Sequence, residues 1–410
     1  PVGPYGAGDR PGLRESGGPA MKLLHVHDYF APGNSRFAFD MDRLLAARGH
    51  DVHVLAAVAE LGPSDGAVVE GVTFHTYPHK PDLSSTQRLS YSNEMNRSRF
   101  GAAHSRHRFD LLVLNQPLCA MGVCDHPDAR QVPKVYWFIS PWAAEWKASN
   151  PEAHLVSRIF NTSMRNRMEN LALQASDAVF VESEFIRKEL KAHHRKIADA
   201  KVTLIPGAVD LEKFRPDGTR EQNRARFGIG SGPIALTVRR LVERMGIDLL
   251  IRAAAEIPGL QVVIGGDGPL RADLEALAKT LKVPATFLGY VKDSDLPSLY
   301  RAADLFVLPT RALEGFGLVA IEAMACGTPA MGTPVGAIPE VLGPLKLVFD
   351  GVSAQAVAGG IRRFLAERDA GLSERCRAHV AANYDWSKVI VKAEQVLVEV
   401  AREGPGHGRR

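Results

Sequence analysis

The sequence predicts an α/β protein built from two Rossmann-like halves. Two observations carry this expectation. Short apolar runs of strand length alternate with helical segments through most of the chain, the pattern of doubly wound parallel sheets. The halves also echo one another: A-S-D-A-V-F-V-E-S at Ala175–Ser183 parallels A-A-D-L-F-V-L-P-T at Ala302–Thr310. Each copy is a helix end, an aspartate and a strand.

In the first half, Lys22–His27 reads as the opening strand. The loop Asp28–Arg36, a helix to Arg48 and the strand Val52–Ala56 follow. Further strands are expected at Val72–Thr76, Leu111–Leu114, Val135–Ile139, Ala178–Val181 and Val202–Ile205. Arg215-Pro216-Asp217-Gly218 punctuates the end of this half, and the polar stretch 217–232 reads as an interdomain linker. The second half has strands at Ile234–Val238, Val262–Ile264, Thr286–Leu288 and Leu305–Leu308, with helices such as Ile247–Glu256 and Leu270–Leu281 between them. An apolar helix near Lys388–Ala401 ends the pattern. The expected organisation is a leader at 1–20, a first domain at 21–216, the linker, and a second domain at 233–387.

Composition narrows the function classes. A length of 410 residues suits two to three domains, and 45% hydrophobic with 23% charged residues is ordinary globular usage. The net charge of +4, from 50 basic and 46 acidic residues, is too small to argue for a nucleic-acid partner. No apolar run reaches transmembrane length. Residues 1–20 lack the apolar stretch of a secretory signal and read as a disordered leader before a natural start at Met21. Cys119, Cys124, Cys326 and Cys376 are scattered, as reduced thiols of a cytoplasmic protein would be. Cys119, Cys124 and His126 fit no common zinc spacing.

Chemistry concentrates at Arg311–Gly336. The strand Leu305–Leu308 runs into Pro309-Thr310, then a loop carries Glu314 and Gly315-Phe316-Gly317. A helix begins near Gly317 and holds Glu322 about one turn in. Glycines before a helix N-terminus let backbone N–H groups approach an anion that the helix dipole also favours. A carboxylate on either side can accept hydrogen bonds from hydroxyls. A ligand with phosphate in the middle and polyols at both ends fits this layout.

This string, through Thr328-Pro329 and Gly336, resembles the Glu-x7-Glu signature of retaining glycosyltransferases of the family-4 type (glycosyl transferases group 1). The resemblance covers nearly all of Met21–Ala401. It implies a GT-B fold, with two Rossmann-like domains facing across a cleft and the final helix, 388–402, crossing back to the first domain. It implies transfer of a sugar from a UDP-, GDP- or ADP-sugar to a hydroxyl acceptor, without metal and with an α-linked product. The acceptor is left open among a saccharide, a lipid-linked glycan and a small molecule. Glu322 would bind ribose hydroxyls, and Glu314 would meet the donor sugar. The amides of Gly315, Phe316, Gly317 and Leu318 would face the phosphates and sugar. Val238–Asp248 resembles the family stretch Gly-Arg-Leu-(x)3-Lys-Gly-x-Asp. This gives Arg240 the diphosphate-binding role and puts Met245 at the lysine position, with Arg244 as a substitute cation. Gly265-Gly266-Asp267-Gly268-Pro269 resembles the family's Gly-x-Gly-Pro turn, with Gly266 packing beneath the nucleotide. Tyr290 and Val291 close the segment whose backbone would read the base.

The first domain departs further. Of the glycine pair before the first helix only Gly33 is kept, Pro32 standing at the other position, and Asn34, Ser35 and Arg36 complete a polar loop. Ile139 stands where relatives carry a histidine, and His25 or His27 is a candidate replacement. Asp40-x-Asp42 and Asp293-x-Asp295 have the spelling of a metal motif, but they are expected to be a solvated helix face and a helix start. Basic residues at Ser157–Asn170 and Ser183–Lys196, with Ile159, Phe160 and Leu171, suit contact with the inner face of a membrane. Glu169, Glu184 and Glu189 favour a solvated face instead. Ile139 and Met245 also support an alternative reading, a nucleotide-sugar-binding protein with impaired or no transfer. A third is an enzyme acting on the donor itself, such as a phosphorylase or epimerase.

Overall fold

A computed structural model describes residues 19–30, 36–60, 62–367 and 369–406. It divides into two compact units. The first holds the chain to Glu182, Ile186–Ile205 and Val389 onward; the second holds Ser183–Phe185 and Pro206–Lys388.

The first unit is an eight-stranded sheet. Its strands are β1 (Lys22–Phe30), β2 (Asp51–Val58), β3 (Val68–Val69), β4 (Val72–Pro78), β5 (Leu111–Leu114), β6 (Lys134–Phe138), β7 (Ala178–Val181) and β8 (Val202–Leu204). The order is β3-β4-β2-β1-β5-β6-β7-β8, parallel except for β3. The middle strands are buried on both faces, which is why β5 reads Leu-Leu-Val-Leu without polar alternation. The edge strand β3 escapes the sequence reading because it has only two residues, whereas β4 contains the expected strand Val72–Thr76. The signal for β3 is Glu70-Gly71, both at positive φ, the requirement of a tight two-residue hairpin turn.

The second unit is a five-stranded parallel sheet. Its strands are β9 (Ile234–Val238), β10 (Gln261–Gly265), β11 (Ala285–Gly289), β12 (Leu305–Leu308) and β13 (Ala330–Gly332), in the order β11-β10-β9-β12-β13. The chain runs outward from β9 through β10 and β11, then returns to β12 on its other side. The C-terminal ends of β9 and β12 therefore meet at a topological switch point, where open α/β sheets form ligand crevices. The short strand β13, flanked by prolines, is also missing from the sequence reading.

The stretch 217–232 differs from the expected linker. It contains the helix Arg220–Arg226, opened by a reciprocal capping box between Thr219 and Gln222. Arg220 and Arg224 bind Asp304 at 2.6 and 2.7 Å, and Arg224 also donates to the carbonyl of Ala302 at 2.9 Å. Polar composition here reflects a surface helix tied down by ion pairs.

The echoed aspartate has a structural cause. Asp177 accepts the backbone N–H of Lys134 at 2.9 Å, and Asp304 accepts that of Ile234 at 2.8 Å. Asp110 does the same for Lys22 at 2.7 Å. In each case the residue before one strand caps the first N–H of its parallel neighbour.

The last helix, Trp386–Glu403, brings Glu394 to the first unit. Its carboxylate binds Arg48 at 2.6 Å and His50 at 2.6 Å with little solvent access. Burial pushes the Glu394 carboxyl up, but the Arg48 and His50 hydrogen bonds outweigh it, and the group titrates below its usual value. The resulting stability is present above the unfolded carboxyl's 4.5 and is lost as pH falls through the lowered folded value. Glu394→Ala is expected to destabilise the first unit by about 3–5 kcal/mol at neutral pH, because it removes the buried carboxylate that Arg48 and His50 share. Urea unfolding followed by tryptophan fluorescence checks this; an unchanged midpoint would refute it.

Candidate functional site

The sequence-predicted donor residues lie in the second unit, just beyond the C-terminal ends of its strands. Arg239 and Arg240 follow β9, Gly266 follows β10, Tyr290 and Val291 follow β11, and Pro309–Gly317 follows β12. Parallel register sets this. Leu305 pairs with Ala235 and Phe306 with Leu236, so residues four positions on emerge side by side.

The loop after β12 is held from several directions. Ala337 N–H donates to the Glu314 carbonyl at 2.9 Å, and Thr333 Oγ1 donates to the Thr310 carbonyl at 2.5 Å. Arg244 Nη1 donates to the Leu313 carbonyl at 3.0 Å. Gly336 is obligatory: its φ is +60° and a Cβ there would lie 2.1 Å from the Glu314 carbonyl oxygen. Gly317, at φ +93°, precedes the helix Leu318–Ala325. Ala320 N–H donates back to the Gly317 carbonyl at 2.9 Å, while the Leu318 and Val319 amides open the helix with no intrahelical acceptor, the kind of end that favours an anion.

The two glutamates occupy different settings. Glu314 is nearly buried, and its Oε2 accepts from Arg239 Nη2 at 2.5 Å and from Thr310 Oγ1 at 3.1 Å. Arg239 Nη1 also reaches Thr310 Oγ1 at 2.6 Å. Glu322 is 4% exposed and accepts from the Tyr300 hydroxyl at 2.7 Å. Phe316 is buried with its ring edge-on to Tyr384, centroids 5.3 Å apart, so it anchors the loop in the core.

The Gly265–Leu270 turn packs tightly. A Cβ at Gly266, whose φ is +109°, would fall 1.9 Å from the Arg239 carbonyl oxygen. Gly266 N–H donates to Gly289 at 2.7 Å, closing the turn onto the end of β11. Tyr290 beyond it is 64% exposed.

The cations are arranged differently from the sequence expectation. Arg239, to which the sequence reading gives no role in the site, is the buried partner of Glu314, with its side chain only 6% exposed. Arg240 is exposed, and its guanidinium has no hydrogen-bond partner among the described residues. Arg244 is spent on the Leu313 carbonyl, and Met245 is buried in the second unit's apolar core. Arg239, Thr310, Thr333 and Tyr300 are the residues that sequence reasoning missed. Arg239 was discoverable, since it stands where the resembling stretch has glycine.

In the first unit, Gly33, Pro32, Asn34 and Ser35 lie outside the described residues. Ile139 is half-buried just after β6. His25 and His27 do not open onto a ligand: both are buried, and His25 Nδ1 binds Asp42 at 2.8 Å. Burial and the neighbouring His25 lower the His27 pKa to about 4, so its ring is neutral at pH 7. Asp42 is thus a core residue rather than part of a solvated helix face, while Asp295 does start a helix and pairs with Arg226. Among the described residues, no helix is long and apolar enough to cross a membrane.

Comparison with known proteins agrees with this architecture. The glycosyl transferases group 1 family matches residues 219–382, and glycosyltransferase family 4 matches residues 31–213. A GDP-mannose-dependent alpha-(1-6)-phosphatidylinositol monomannoside mannosyltransferase of Mycobacterium tuberculosis is 34% identical over 215 residues, covering 48% of this chain and 56% of that protein. A D-inositol 3-phosphate glycosyltransferase of Mycobacterium marinum is 30% identical over 287 residues, covering 61% of this chain and 59% of that protein. The chain thus spans a little over half the length of these relatives. Among solved structures, a sucrose-phosphate synthase from Thermosynechococcus elongatus aligns over 93% of this chain and 100% of its own with a TM-score of 0.80 at 23% identity. Anabaena HepE, solved with UDP and glucose, aligns over 92% of this chain and 100% of its own with a TM-score of 0.74 at 18% identity. Two parallel-stranded Rossmann-like units, each matched by its own family description, place the chain among the group-1, family-4 glycosyltransferases with the GT-B fold.

Proposed function

We propose that the protein transfers a sugar from a nucleoside-diphosphate sugar to a hydroxyl acceptor, retaining configuration and forming an α-glycosidic bond without a metal. The observation that carries this reading is the placement of Glu314 and Glu322 on either side of the helix start at Gly317, at the switch point of a parallel sheet. The Leu318 and Val319 amides at that helix start take the diphosphate. Glu322, already oriented by Tyr300, accepts from ribose hydroxyls. Both protein bonds to Glu314 fall on Oε2, which leaves Oε1 to accept from a sugar hydroxyl.

As the bond between the anomeric carbon and the diphosphate oxygen breaks, negative charge grows on the leaving group. Arg240, exposed and uncommitted, meets that charge with a planar fork of donors. The acceptor oxygen bonds to the anomeric carbon on the same face, and its proton passes to the departing phosphate. Names of the relatives supply the first substrates to try: GDP-mannose as donor and an inositol phosphate as acceptor. A panel of UDP-, GDP- and ADP-sugars, scored by thermal shift and nucleotide release, tests the reading. Stabilisation without release across a broad acceptor panel would favour the binding-only alternative, which the uncharged, buried Met245 supports.

The first unit also offers a membrane-facing surface. On the helix Leu155–Ala175, Leu155, Val156, Ile159 and Phe160 are 59–70% exposed within its first two turns, next to Arg158. Contact with an anionic bilayer would cover these apolar side chains and satisfy the cation.

Three outcomes are expected. Glu322→Ala weakens nucleotide affinity by about 10- to 100-fold, consistent with losing hydrogen bonds to a charged group, and Tyr300→Phe weakens it less; calorimetric titration reads both. Arg240→Ala lowers kcat by about 100-fold or more with an unchanged thermal midpoint, whereas Arg239→Ala lowers both because it strands Glu314. Equal donor affinity and turnover in all four variants would refute the site. Flotation with phosphatidylglycerol vesicles should recover the wild type but not the Ile159→Glu/Phe160→Glu double variant; equal recovery would remove the membrane role.

A further inference from the structure

A second cluster of chemically capable side chains lies in the first unit. His53 is on β2 and His75 on β4, and His107 is the last residue of the helix Ser85–His107. Strand register brings the first two together: His53 pairs with Thr73, so His75, two residues on, shares its face of the sheet. The helix then ends over that face. Arg108, at φ 55°, turns the chain, and Phe109 follows with its ring 5.1 Å from His53 and 6.0 Å from His107.

One nitrogen from each of the three rings lies within 4.8 Å of the other two. His53 Nδ1 and His75 Nε2 are 2.9 Å apart and share a hydrogen bond, whose proton a metal ion bound by both nitrogens would displace. The opposite nitrogen of His53, Nε2, lies 3.0 Å from Asp51 Oδ1. That carboxylate holds the proton on Nε2 and turns Nδ1 into an acceptor, the arrangement that orients metal-bound histidines. Asp51 in turn is 3.5 Å from Lys22 Nζ. Buried Phe109 forms an apolar wall, while His75 and His107 are half-buried and give solvent a path in. Arg99 and Asp65, which act on His75, pair with one another at 2.5 Å.

We infer that His53, His75 and His107 form a three-histidine site for a divalent transition metal of the zinc type, oriented by Asp51. Imidazole selects this class over magnesium or calcium. Nitrogens on a tetrahedral zinc stand about 3.4 Å apart, given zinc–nitrogen bonds of about 2.0–2.1 Å. The three ligands therefore need to move by only fractions of an ångström to a little over one, and water completes the coordination. The ion's role is to fasten the end of the helix Ser85–His107 to β2 and β4. This assignment does not depend on the proposed transfer reaction.

The test uses the full-length, tag-free protein stripped of metal. Titration with Zn²⁺ alone is expected to show one high-affinity equivalent and a raised unfolding midpoint, and Co²⁺ to give the intense visible bands of tetrahedral nitrogen coordination. His107→Ala and His75→Ala, both at half-buried positions, should lose the equivalent, the midpoint shift and the bands. Asp51→Asn should keep the bands but weaken Zn²⁺ about 10- to 100-fold. His379→Ala, in the second unit, should match the wild type. Circular dichroism of each metal-free variant confirms folding. Failure of the wild type to bind Zn²⁺, or unchanged binding in folded His107→Ala or His75→Ala, overturns the assignment.

Discussion

The ion pair between Arg239 and Glu314 is the constraint on which the second unit's upper edge depends. Both side chains are almost out of solvent, where an unpaired charge costs several kcal/mol. They come from the ends of neighbouring parallel strands, so the pair forms only when β9 and β12 are in their observed register. Thr310 binds both partners and fills positions that water would otherwise claim. With the loop's start fixed in this way, Phe316 reaches the core and Gly317 can open the helix. Tight backbone contacts at Gly266 and Gly336 complete the arrangement, because any side chain there would strike Arg239 or Glu314 itself.

The same logic of neighbouring strands explains why so much of the fold was legible. An aspartate before a strand caps the first N–H of the adjacent strand at Asp110, Asp177 and Asp304, so local sequence carries information about a non-local pairing. Strands buried on both faces are continuous apolar runs, and β5, β7, β9 and β12 fall where the sequence puts them. Legibility fails where an element is too short for a period. β3 and β13 have two and three residues, and the helix Arg220–Arg226 buries only Asn223. Polarity there reads as linker, although ion pairs to Asp304 hold it in place.

The site was legible to a different degree. Positions of Glu314, Glu322 and the glycines follow from chain order, since each lies just beyond a strand or at a helix start. Partners were not legible, because a side chain's partner is set by what packs beside it in space. Nothing in the string Val238–Asp248 says that Arg239 turns inward while Arg240 stays in solvent. Nor does the spelling His-x-His at residues 25 and 27 reveal that Asp42, from the following helix, would claim these rings for the core. Asp51, His53, His75 and His107 are spread over nearly sixty residues, and only the sheet register and the helix end gather them.

Two departures from the resembling family stretch, at Arg239 and Met245, compensate for one another. Met245 removes a cation where that stretch has lysine, and Arg239 adds one where it has glycine. Total charge is preserved while its location changes. A bare carboxylate at Glu314 would repel an incoming diphosphate, by about 4 kcal/mol for unit charges 4 Å apart at an effective dielectric constant of 20. With Arg239 bound to it, Glu314 presents a neutralised pair, and its remaining oxygen can meet hydroxyls without that penalty. Arg240 is then left as a cation with no anionic partner among the described residues. The missing lysine is therefore a weaker sign of lost transfer than the sequence alone suggests, because Arg239 cancels the charge of Glu314 and leaves Arg240 uncommitted.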